Sequence, residues 1–83
     1  METQIASYRI IIEPETQKGQ KVYNAYCPTL GITDYGDTIE EVLESINYGI
    51  QLAIEVLIEE GKEIPVDNIK EQVITSTEVA IPC

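Results

Sequence analysis

Apolar residues recur at helical spacing over residues 39–58. Ile39, Val42, Leu43, Ile46, Ile50, Ala53, Ile54 and Leu57 fall on one side of a 3.6-residue repeat. Polar signals bracket this stripe. Thr38 followed by Glu41 is the capping-box spacing, in which the hydroxyl accepts from an amide one turn on and the carboxylate reaches back. Asp37 with Glu40 offers the same spacing one residue earlier, and the two alternatives stay open at this level. Asp37, Glu40 and Glu41 also place negative charge at the positive end of the helix dipole. Gly61 supplies a left-handed stop. The pattern predicts one long helix over residues 39–60, with Ile46 and Ile50 in the core and the rest of the chain covering its apolar side.

Before the helix the period changes to two. In residues 5–13, Ala6, Tyr8, Ile10 and Ile12 alternate with Ser7, Arg9, Ile11 and Glu13, which predicts a strand with one mainly apolar face. Pro14 and Gly19 mark residues 14–20 as a connecting loop. A second strand follows over 21–27 and ends at Pro28, which has no amide to donate. Its alternation is weak: Val22 and Tyr26 share one face, Tyr23, Ala25 and Cys27 the other, and either set can be the inner one. A short third strand is expected over 31–35. Beyond the helix, Ile64-Pro65 breaks the helical pattern, and 66–71 reads equally as coil or as a turn of helix. Residues 73–81 are β-branched and alternating and predict a fourth strand.

The expected order is βββαβ, an α+β fold in a single domain over residues 1–83. A right-handed crossover through the helix would return the last strand parallel to the first. Strand one would then be central, and the long helix would cover one face of a single sheet. A chain of 83 residues has a modest core at best.

Charge narrows the chemistry. The formal net charge is −10, with five basic residues against fifteen acidic ones. That balance opposes binding to nucleic acid or to anionic membranes, both of which call for Lys/Arg patches, and suits a basic protein partner steered in by the field. Glu40 and Glu44, and Glu55 and Glu59, are like-charged pairs one turn apart, without basic neighbours on the helix. They read as a solvated acidic face, or as oxygen ligands for a hard cation. No histidine is present, so Cys27 lacks the usual activating base and reads as a buried strand-end thiol. Cys27 and Cys83 follow no metal spacing. No nucleotide-binding loop is evident. The first four residues show no signal-peptide pattern, and no apolar run is long enough to span a bilayer. A cytoplasmic location, no cofactor, no bound metal and no enzymatic activity are therefore expected.

Tyr23, Ala25, Tyr26, Pro28 and Leu30, followed by Gly36-Asp37-Thr38, Glu40 and Glu41, and then by the 60–65 helix exit Glu-Gly-Lys-Glu-Ile-Pro, resemble the HicB-like antitoxins in order and spacing over nearly the whole chain. Val42 stands where that pattern has alanine, and Thr29-Leu30-Gly31-Ile32 departs from its usual acidic and Pro-Gly-Cys loop. The resemblance implies a partly degenerate RNase H-like βββαβ domain. Its implied function is to neutralise a small basic RNA-cleaving toxin of the HicA type by direct binding. Full antitoxins carry a C-terminal DNA-binding segment that has no counterpart before Cys83, so direct DNA contact is not expected. An RNase H-type metal site would have to draw on Glu13, Glu44 and Glu78, which is too sparse a set for catalysis. The partner-contact candidates are Asp34, Asp37, Glu40, Glu41 and Glu44, concentrated at the helix start. Self-association is expected as a dimer or a higher even-numbered oligomer, through the edge of the last strand or the uncovered sheet face. The alternative reading is a stand-alone regulatory or structural interaction module with another partner.

Overall fold

The computed structural model describes residues 5–68 and 72–82. Its sheet is built from β1 (Ile11–Gln17), β2 (Gln20–Cys27) and β3 (Ile32–Gly36), followed by the helix α1 (Ile39–Glu59). The sheet is antiparallel in the order β1-β2-β3, so β2 is central. Together they form an α+β fold with one helix laid on β2 and β3.

The first strand lies later than its hydrophobic pattern suggests. It pairs from Ile11 to Gln17, and Pro14 sits inside it opposite Tyr23. An edge strand tolerates proline because the missing amide can point away from the ladder. The expected seven-residue connection contracts to a two-residue turn, Lys18-Gly19, with both residues at positive φ (49° and 79°). Such a mirror-image turn matches the twist of a tight hairpin. Residues 5–10 form no ladder with β2, because β2 ends at Cys27 and Pro28 follows.

Cross-strand partners share a face of the sheet, which assigns the two sides. Ile12, Ala25 and Asp34 line up on the helix side, as do Cys27 with Ile32 and Tyr23 with Gly36. The inner set of β2 is therefore Tyr23, Ala25 and Cys27. Ala25, Cys27, Val42, Ile46 and Ile50 are buried, and Tyr8, Ile10, Ile12, Tyr23, Leu30, Ile32 and Ile54 pack around them. Ile39 and Leu43, expected on the buried stripe, are 44% and 40% exposed. The sheet beneath α1 is only three strands wide, so the outer parts of a broad apolar stripe find nothing to cover them.

The helix ends are resolved in detail. Thr38 is the N-cap, and its Oγ1 accepts from the Glu41 amide at 3.1 Å. Glu41 Oε2 accepts from the Asp37 amide at 3.3 Å, one residue outside the usual capping-box position. At the other end Gly61 donates to the Ile58 carbonyl and Lys62 to that of Leu57, the paired bonds of a Schellman stop. Gly36 allows β3 to run directly into α1: a Cβ there would lie 2.8 Å from the Val42 backbone nitrogen.

No fourth strand is formed among the described residues. Among the described residues, 72–82 belong to no sheet, and Val73, Ile74, Val79 and Ile81 are each at least 75% exposed. Residues 66–68 are not helical. Strand one is accordingly an edge strand, not the central one. The expectations for Met1 to Gln4 and for Cys83 lie outside the described residues.

Candidate functional site

The β3–α1 junction gathers the acidic residues. Because β3 enters the helix through Gly36 without a loop, Asp34, Asp37, Glu40, Glu41 and Glu44 all fall at one end of the fold, but they do not play one role. Asp34 is on the helix side of β3 and is held there: its Oδ1 accepts from the Tyr35 amide at 2.8 Å, and its Oδ2 accepts from the Ser45 hydroxyl. It joins strand to helix and is half-buried. Glu41 divides between capping and surface. Asp37, Glu40 and Glu44 are exposed.

Two shallow depressions meet at Glu41. One, of about 490 Å³, is lined by Glu41, Glu44, Ser45, Asn47, Tyr48 and Gln51. The other, of about 450 Å³, is lined by Gln17, Val22, Tyr35, Gly36, Asp37 and Glu41. Tyr35 and Tyr48 flank them and are 61% and 63% exposed. The surface thus alternates carboxylates with tyrosine rings, a combination that receives lysine and arginine by charge and by contact with the ring face. The placement of Tyr35 and Tyr48 beside the carboxylates follows only from the fold.

Glu13 lies on the outer face of β1 opposite Asn24, Glu44 on the exposed side of α1, and Glu78 on the extended tail. Among the described residues no three His, Cys, Asp or Glu side chains converge as metal ligands would. Cys27 is fully buried and free. No helix among the described residues is long and apolar enough to cross a membrane.

A second polar centre escaped the sequence pattern. Arg9 binds Asp67 twice, through its backbone amide to Oδ2 at 2.8 Å and through Nε to Oδ1 at 2.7 Å, and its Nη1 donates to the Gln72 side chain. The Tyr8 hydroxyl donates to the Pro65 carbonyl at 2.7 Å. The Asp67 side chain is shielded from solvent. Burial works to raise its carboxyl, but the Arg9 amide, a hydrogen bond with Thr29 and the Arg9 guanidinium together hold it below its ordinary 3.8. The clamp fastens the segment after the helix to the segment before β1. Nothing in local sequence marks a pair 58 residues apart.

The chain is 39% identical over 67 residues to the UPF0150 protein ssr1765 of Synechocystis sp., an alignment spanning 80% of this chain and 81% of that one. No family model matches, and no solved structure matches. At that identity, and over that share of both chains, the sequence belongs to the UPF0150 family.

Proposed function

We propose that this chain is a HicB-like antitoxin-type binding protein, with an RNase H-like βββαβ core, that acts in the cytoplasm without catalysis. It neutralises a small, basic, RNA-cleaving toxin of the HicA type by covering its working surface. The observation that carries this reading is the exposed acidic helix start, Asp37, Glu40, Glu41 and Glu44, set between two exposed tyrosines. With no basic side chain in α1, these carboxylates have no helical counter-ions. Their mutual repulsion is relieved when a cationic surface docks. The motif order along the chain supports the same family of partners.

Glu40 and Glu44 are the clean probes, since neither makes a capping bond or enters the core. The double exchange Glu40→Lys and Glu44→Lys should preserve the helix. It should slow association with a basic toxin about tenfold at low salt and flatten the salt dependence of the on-rate. Stopped-flow mixing over a salt series measures both. An unchanged on-rate and slope in the folded variant would move the contact to the outer sheet face, where Tyr26 is exposed and Asn24 Oδ1 is buried without a hydrogen-bond partner. Failure of any small basic RNA-cleaving protein to bind would favour the alternative, a regulatory module with a different partner.

A further inference from the structure

Residues 73–81 have the composition of a strand and are used as none. Val73, Thr75, Thr77, Val79 and Ile81 alternate with Ile74, Ser76, Glu78 and Ala80, and Glu78 is the one charge among them. A segment with this β propensity does not gain stability in water with its apolar side chains at least three-quarters exposed. The radius of gyration is 16.7 Å and the longest extent 62 Å, whereas a compact chain of this length has a radius of about 12 Å. The chain is thus more extended than a closed globule of its length.

The same molecule displays a vacant receptacle of matching character. β1 is an edge strand whose outer ladder edge is unpaired among the described residues, and α1 packs chiefly over β2 and β3. At the start of that strand lies a groove of about 1080 Å³, walled by Tyr8, Ile10, Ile50, Ile54, Ile64 and Val66 among others. A nine-residue strand is about 30 Å long, shorter than the stretch formed by β1 and the residues leading into it. Charge does not oppose the fit. Arg9 is paired with Asp67, and Lys18 and Lys21 of the hairpin stand against Glu13 and Glu15 of β1, so this edge is near charge balance in a strongly acidic chain.

We propose that residues 73–81 form the fourth strand of a second copy of this chain, pairing with the open edge of that copy's β1 and placing Val73, Val79 and Ile81 toward its groove, while the second copy does the same in return. The occupant is the chain's own tail, delivered in trans. The Arg9–Asp67 clamp and the Arg9–Gln72 hydrogen bond launch the tail from beside the β1 entry, and in its own chain the tail then runs free. Reciprocal exchange closes a two-fold dimer, covers the β1 edge of each copy and completes a βββαβ unit on each side from two chains. This inference is independent of the toxin reading.

The test uses the full chain. A one-to-one mixture of isotope-labelled and unlabelled protein, examined by filtered nuclear Overhauser spectroscopy, should show contacts between chains linking the Val73, Val79 and Ile81 methyls to Tyr8, Ile10 and Ile12. Light scattering should give twice the 9.3 kDa chain mass. The double substitution Ser76→Pro and Thr77→Pro should weaken the dimer at least tenfold with the α1 circular dichroism retained. Consecutive amides point to opposite edges of a strand, so one of the two removed donors faces the ladder in either register. The proposal is overturned by a monomer at millimolar concentration, by tail contacts confined to single chains, or by a proline variant that dimerises as the parent does. The spectroscopy on unsubstituted protein decides the matter even if the variant fails to fold.

Discussion

Asp67 shows how one side chain can set the acid limit of this fold. Its carboxyl is held below its ordinary value, chiefly through the Arg9 amide, Thr29 and the Arg9 guanidinium working against burial. A depressed carboxyl binds fewer protons folded than unfolded between the two values. Its stabilisation is therefore complete above the ordinary 3.8 and is lost as pH falls through the lower native value. Asp67→Asn removes the charge, and urea melts at neutral and strongly acid pH should differ less in the variant than in the parent. An equal acid loss in both would show that other carboxylates govern it. Asp34 and Glu41 make the companion point: both are acidic, yet one ties β3 to α1 and the other accepts from the Asp37 amide at the helix start. Free charge at this end belongs chiefly to Asp37, Glu40 and Glu44.

At the scale of the element, α1 is what the sheet is packed against. Val42, Ile46 and Ile50 bury one narrow stripe, and Ile46 is fully enclosed. Ile46→Ala should cost about 2–5 kcal/mol, a large part of the ~5–15 kcal/mol that holds a small domain together. Denaturant melts measure it, and a loss below about 0.5 kcal/mol would mean the stripe is not the core. Tyr48, Leu52 and Val56 lie at successive turns on the helix and remain exposed. That flank, like the β1 edge, is what a three-stranded sheet leaves uncovered.

For the molecule as a whole, the net charge of −10 dominates encounters. Duplex DNA carries a dense negative charge and is bound largely through phosphate neutralisation by Lys and Arg. The pure protein should give no mobility shift with duplex DNA at physiological salt. A salt-sensitive, sequence-selective shift would refute that. The same charge opposes self-association, and least so along the β1 hairpin, where Lys18 and Lys21 offset Glu13 and Glu15.

Periodicity and capping alone determined the helix almost to the residue, because an α-helix is stabilised by contacts within four positions and its ends are written in Thr38, Glu41 and Gly61. The acidic helix start was legible for the same reason. Local pattern could not choose between the two faces of β2, nor shift β1 forward to Ile11–Gln17, since register depends on where β2 ends and on a turn as short as Lys18-Gly19. It could not reveal the Arg9–Asp67 clamp, whose members are 58 residues apart. It recognised residues 73–81 as strand-forming, but whether a strand forms is decided by the edge it meets. Backbone hydrogen bonds of a sheet are supplied by another segment, and only the tertiary structure shows that the chain's own sheet leaves those bonds unmade.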